Sequence, residues 1–200
     1  MKAIRIHKFG PTEDVLQYED VPAPEPKAGE ILIKVEAASL NRVDLGLRKG
    51  TYRISADALP LIPGRNLAGT VEKLGAGVNE YQIGERVVAY PSLGGYAEYA
   101  RVQGDWVIPV PPGMTDADAM KLGTAGFTAA LAIHRMEQNG QQPEHGPVVV
   151  TGATGGVGSL TINMLAGRGY EVAAVSGKPE ADAYLHEIGA SQILRRQSLD

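Results

Sequence analysis

The sequence has no cysteine, which removes disulfides, iron–sulfur clusters, thiolate zinc sites and cysteine nucleophiles together. A reducing cytoplasm is the compartment this composition fits. It has no excess of positive charge: Lys and Arg number 19 against 23 Asp and Glu, a net charge of −4. The charges are scattered, so no electrostatic footprint for nucleic acid or an anionic membrane appears. It has no apolar run near the ~18 residues of a spanning helix. The opening MKAIRIHKFG alternates charge with apolarity and lacks the apolar core of a signal peptide. What is present is ordinary: 44% hydrophobic and 21% charged residues over 200 positions, enough for a packed core and longer than one domain of roughly 100–150 residues.

Two textures divide the chain. Residues 1–113 carry short β-type runs at Lys2 to His7, Val15 to Val21, Glu30 to Ala38, Ala68 to Leu74, Arg86 to Tyr90, Tyr96 to Val102 and Trp106 to Val110. Gly and Pro punctuate them densely, as turns of restricted or positive φ demand. This predicts a β-rich barrel or sandwich interrupted by one helix, Asn41 to Lys49, with Trp106 in its core. Residues 114–200 predict helices at Thr115 to Leu122 and Ala125 to Gln138, then strand, helix, strand, helix, strand from Pro147 onward. Apolar strands joined by helical crossovers imply a parallel sheet. The expected fold is thus α/β plus β, in two domains, 1–113 and 114–200. The four His residues have no ligand spacing and read as structural or surface groups.

The strongest motif follows Val148-Val149-Val150: Thr151-Gly152-Ala153-Thr154-Gly155-Gly156-Val157-Gly158. A buried strand turns into a helix N-terminus whose unpaired amides and positive dipole end suit a pyrophosphate. Gly155 lets the backbone approach and Gly158 lets the helix pack on the strand. Ala153 replaces the first Gly of the usual GxGxxG, and the strand–turn–helix context supports the motif despite this. Ala153, Thr154, Gly155, Gly156, Val157 and Gly158 are therefore expected to bind a dinucleotide. An acid about 20 positions on would grip a ribose 2′-hydroxyl. Ser176-Gly177-Lys178 stands there instead, so Ser176 and Lys178, with Arg195 or Arg196 as a further cation, favour a 2′-phosphate and hence NADPH over NADH. The loop also fits the TGxxxGxG of short-chain dehydrogenases, but none of the eight Tyr residues has the Lys four positions later that such enzymes use.

The chain resembles the medium-chain dehydrogenase/reductases, specifically their zinc-free quinone oxidoreductase branch. The resemblance rests on Pro22 to Gly29 before a strand, Ser39-Leu40-Asn41, Pro63-Gly64, Leu67-Ala68-Gly69, Gly84-Glu85-Arg86-Val87, Gly95-Tyr96-Ala97-Glu98-Tyr99 and the Ala153 to Gly158 loop. Residues 94–200 are most similar to the acrylyl-CoA reductase group, through Gly104-Asp105-Trp106, Gly123 to Ala129 and Ala174 to Lys178. The resemblance implies a GroES-like β domain followed by a Rossmann domain. It places Asn41 and Arg65 where zinc-dependent relatives carry Cys and His, so no catalytic metal is expected. An alcohol would need a Lewis acid. A quinone, enone or enoyl thioester would not, because its developing oxyanion can be held by hydrogen bonds. The resemblance further implies that Asn41 and Thr124 lie beside the nicotinamide, with Asp44 and Tyr52 near a small-molecule substrate. Simpler roles compete: helix caps for Asn41 and Thr124, a solvated helix residue for Asp44, and packing for Tyr52.

The nucleotide domain supplies three strands of the usual 3-2-1-4-5-6 order. Val148 to Val150 is then expected as an exposed apolar edge, and a fragment, a chimera or a homo-oligomer covering that edge would account for it. An NADPH-dependent reductase and a catalytically incompetent NADPH-binding scaffold of the same fold are the two functional expectations.

Overall fold

Lys2–Ile6 (β1) and Leu16–Asp20 (β2) pair antiparallel, with Ala3 and Ile6 turned inward. The computed structural model to which they belong describes residues 1–52 and 54–196. Glu30–Ala38 (β3) is the long strand of the first half, followed by the helix Arg42–Lys49 (α1). Asn41 precedes α1 in extended conformation, and Gly50, at φ 73°, ends it in the left-handed region that glycine enters without a Cβ penalty. Leu67–Leu74 (β4), Arg86–Ala89 (β5), Tyr99–Gln103 (β6) and Val107–Pro109 (β7) complete a five-stranded antiparallel sheet of order β6-β3-β4-β5-β7. Ile31, Ile33, Leu67, Val71, Val87 and Val102 form its core.

The next helix, Asp116–Gln138 (α2), is broken at Gly123, whose φ of 42° and ψ of −147° lie outside helical space. The two compact units of the chain, Met1–Gly123 and Thr124–Asp200, meet at that residue. The first part of α2 belongs to the β-rich unit. Ala119 and Met120 pack with Ala68 and Val88, and Arg86 pairs with Asp116 at 2.7 Å. The boundary therefore falls at Gly123 instead of Gly113, because the apolar face of this turn of helix is buried on the sheet that precedes it.

In the second unit Val148–Val150 (β8), Gly156–Ala166 (α3), Val172–Ser176 (β9), Asp182–Glu187 (α4) and Gln192–Arg195 (β10) alternate as expected. The sheet is parallel, in the order β10-β9-β8. All five residues of the central strand β9 are buried, which is why Val172 to Val175 read as an apolar run before Ser176. Ile133, Ile162, Leu165, Val172 and Leu185 make the core. Among the described residues β8 is an edge strand, and Val149 is 54% exposed.

Two further expectations differ from the structure. Trp106 is 61% exposed rather than in the core. It ends a 3₁₀ turn, Gly104–Trp106, whose backbone the fold uses: the Tyr90 amide donates to the Trp106 carbonyl at 3.0 Å. The helix after Pro179 begins as a 3₁₀ turn, Pro179–Ala181, before α4. Among the described residues no helix is long and apolar enough to cross a membrane.

Candidate active site

In the first unit the site is built on the junction of β3 and α1. Asn41 is the N-cap of α1, and three residues later the Asp44 carboxylate reaches back to accept from the Asn41 amide at 2.8 Å. A carboxylate here also complements the positive end of the helix dipole. Asp44 is not a solvated helix residue: it is 8% exposed. Its Oδ2 accepts a second bond, from the Tyr96 hydroxyl at 2.8 Å. Burial, reinforced by the adjacent Asp44 carboxylate, pushes the Tyr96 phenol far above its ordinary range, so Tyr96 remains a donor at any physiological pH.

The Asn41 side chain donates to Ser39, at 3.3 Å to Oγ and 3.4 Å to the carbonyl. Ser39 Oγ also accepts from the fully buried Asn66 amide at 2.9 Å. A side chain on Gly123 would come within 2.8 Å of Asn66 Nδ2, so the glycine at the helix break is what leaves room for this network. Tyr52 stands apart from it. Its ring lies alongside Gly46 of α1, and its hydroxyl accepts from Arg65 at 3.4 Å. The structure thus joins Asn41 and Asp44 directly and links Tyr52 to Arg65. Ser39, Asn66 and Tyr96 complete the arrangement. Asn66 and Tyr96 lie too far along the chain for any spacing rule to have gathered them, whereas Ser39 is two residues before Asn41.

The second unit holds the glycine turn. Gly152 has φ 60°, and its carbonyl accepts from the Gly155 amide at 2.9 Å. A Cβ on Gly158 would lie 2.3 Å from the Gly152 carbonyl oxygen, so only glycine lets α3 pack this tightly against the turn. Ala153 is buried, whereas Thr154, Gly155, Gly156 and Val157 are exposed. The first-turn amides of α3 have no acceptor within the helix and converge beside this open backbone, a cradle suited to a diphosphate. Thr124 opens the second part of α2. Its neighbour Ala125 would lie 3.4 Å from a Cβ on Gly156.

At the end of β9, Ser176 is buried and its Oγ accepts from the Lys178 amide at 3.1 Å, which leads the exposed Lys178 out of the strand. Arg195 proves to be engaged: its guanidinium grips both oxygens of Asp182, with Nη1 to Oδ1 at 3.0 Å, and the pairing holds the Asp182 carboxyl below its ordinary range. Exposed Arg196 lies just beyond. His7 bonds Glu19 and His186 bonds the Ala190 carbonyl, both structural uses. Among the described residues no group of His, Asp and Glu side chains could hold a metal ion.

Residues 27–112 match the family described as Alcohol dehydrogenase GroES-like domain. Acrylyl-CoA reductase AcuI of Ruegeria pomeroyi is 43% identical over 178 residues, covering 86% of this chain and 53% of the relative. The chain belongs to the medium-chain dehydrogenase/reductase superfamily, in its quinone oxidoreductase branch. Putative quinone oxidoreductase YhfP of Bacillus subtilis is 44% identical over 180 residues, covering 87% of this chain and 53% of the relative. The crystal structure of the yhdH oxidoreductase from Salmonella enterica in complex with NADP superposes with a TM-score of 0.87 at 36% identity, over 100% of this chain and 62% of that one. The chain spans about half the length of the curated relatives named here, at 53% of each. This membership accounts for the arrangement of a GroES-like sheet followed by a Rossmann-type unit.

Proposed function

We propose that this medium-chain dehydrogenase/reductase chain binds NADPH on the glycine turn of its second unit and serves the reduction of a quinone or a conjugated carbonyl compound. The observation that carries the reading is the contact between Gly158 and Gly152, which no side chain could share. Such packing brings the bare first-turn amides of α3 to an exposed surface, where a diphosphate can accept from them. Lys178 and Arg196 would meet the 2′-phosphate, and no carboxylate stands at Ser176-Gly177-Lys178 to repel it. NADPH, when bound, supplies a hydride.

The chain's own residues would manage charge and position. Asn41, held by Ser39 and by the bond from its amide to Asp44, offers a fixed donor for an oxygen that becomes negative. Tyr52, beside the Arg65 cation, offers a hydroxyl near a positive charge. Hydrogen bonds of this kind stabilise a delocalised oxyanion without a Lewis acid. Asn41 and Arg65 are also poor metal ligands, which supports metal-free chemistry here.

The test is a fluorescence titration with NADPH and with NADH, followed by assays with a quinone and with acrylyl-CoA. Tighter NADPH binding with turnover of either acceptor is expected. Equal or tighter NADH binding overturns the cofactor assignment, and NADPH binding with no turnover of either acceptor marks a binding scaffold instead of an enzyme.

A further inference from the structure

We propose that the first unit holds a binding cleft for a small monocarboxylic acid with an apolar body. The cleft, of about 410 Å³, opens between β1, the Val21 to Pro24 segment, the turns at Pro60 and Leu93, and β6. That volume lies within the roughly 300–1,000 Å³ usual for small-molecule sites. No residue of the Asn41 network lines it, so the site is separate from the candidate active site and goes beyond the proposed function. Pro22, Pro24, Pro60, Ile62 and Leu93 give it apolar walls, and the fixed φ of proline keeps such walls from rearranging. Its charged side chains are Arg5 and Arg101, and among the described residues no Asp or Glu lines it. Met1 is also on the lining, and its amino group donates to the Val21 carbonyl at 2.8 Å.

The carboxylates that pair with these arginines are not on the lining and bond to other groups. Arg5 Nη1 stands 3.0 Å from Glu19 Oε1, which is also 2.9 Å from His7 Nε2. Arg101 Nε stands 3.0 Å from Glu30 Oε2, but Glu30 accepts from the Lys27 amide at 2.8 Å and from the Gln103 side chain at 3.1 Å. Among the described residues neither guanidinium donates a hydrogen bond, and each makes an ion pair alone. A guanidinium carries five N–H donors in a planar fork, so both forks keep N–H groups with no protein acceptor. Arg101 is exposed, and Arg5 has no buried unpaired nitrogen, so a molecule in the cleft can reach these donors.

A carboxylate on an apolar body answers both features. Its oxygens accept charge-assisted bonds from guanidinium forks, while its body covers the proline and leucine walls. A single negative charge is the one that fits. A phosphate dianion would add repulsion from Glu19 and Glu30 and leave the apolar walls in water. An ammonium would meet two cations, and a neutral amide would forgo the attraction of charge.

Backbone amide NMR shifts of the chain, titrated with 4-tert-butylbenzoate, 4-tert-butylbenzamide and inorganic phosphate, test this without any cofactor. Failure here leaves the NADPH reading untouched, and the converse holds. Saturable shifts confined to the cleft residues are expected for the benzoate, about tenfold tighter than for the benzamide or the phosphate, the effect of one charge-assisted hydrogen bond. That comparison uses the unaltered chain. Arg5→Gln and Arg101→Gln should each weaken the benzoate about tenfold while the rest of the spectrum is kept. No saturable binding of the benzoate, shifts outside the cleft, equal or tighter binding of the benzamide or the phosphate, or wild-type affinity in either variant overturns the proposal.

Discussion

Tyr96 donates its hydroxyl to Asp44 Oδ2 at 2.8 Å across 52 positions of sequence, and this bond fixes the start of α1. Asp44 also holds the Asn41 amide, so the phenol stabilises the candidate site through an intermediary. Tyr96→Phe removes a hydrogen bond to a charged group and should cost about 1.5–3 kcal/mol by denaturant unfolding. The pH dependence has a definite sign. A phenol raised above its ordinary value of 10.0 contributes stability that is fully present below that pH and is lost as pH rises through the higher folded value. Wild type should therefore lose its advantage over Tyr96→Phe only in strong alkali. An advantage that vanishes near neutrality would contradict the bond.

Gly158→Ala should damage the glycine turn itself. The added methyl meets the Gly152 carbonyl at 2.3 Å, a backbone atom that cannot rotate away. Stability should fall by about 1–3 kcal/mol, and NADPH affinity by about tenfold or more as the first-turn amides shift. Undiminished NADPH binding would show that the turn is not the site.

Lys178→Met separates the two nicotinamide cofactors. Lys178 leaves β9 exposed, next to Ser176, so its ammonium should matter only to a ligand with a 2′-phosphate. We expect NADPH affinity to fall about tenfold with NADH affinity unchanged. Equal losses for both would remove Lys178 from the discrimination.

Asp118 reports on the first turn of α2. Bonds from Lys121 and from Thr115 hold its carboxyl down to about 2 from an ordinary 3.8. A depressed folded value contributes stability above the unfolded value that is lost as pH falls through the folded one. The window here runs from 3.8 down to about 2. Carboxyl NMR titration should place its midpoint near the lower limit, and Lys121→Met should raise it.

Val149→Lys tests the open edge of the parallel sheet. Val149 is 54% exposed on β8, and a charge on an edge strand opposes pairing with another chain. Light scattering should register less self-association, with stability changed by no more than about 0.5 kcal/mol. Unchanged association would place any contact between copies elsewhere.

Much of this architecture was legible locally. β3 runs from Glu30 to Ala38 as its apolar pattern predicts, and Val148–Val150 leads into the glycine turn as its motif requires. Chain geometry and near-neighbour sterics decide such features, so the residue order carries them. The helical pattern of the first part of α2 does not specify which sheet covers its apolar face, and in the fold Ala119 and Met120 pack on the sheet before it. Trp106 is exposed although its size and apolarity favour the core, because these are only a tendency toward burial. The backbone of its 3₁₀ turn, and not its ring, is what the fold uses.

The candidate site divides along the same line. The sequence alone determined the glycine turn, because Gly152 to Gly158 is a contiguous stretch whose tightest contact, Gly158 on the Gly152 carbonyl, lies within it. It also determined that Asn41 begins a helix with an acid three positions on. Tertiary structure alone decided that Asp44 is buried, that Tyr96 and Asn66 fasten the ends of the Asn41 network, and that Asp182 engages Arg195. Each depends on segments far apart in sequence folding together, and burial sets the strength of a charge or a hydrogen bond only after that has happened.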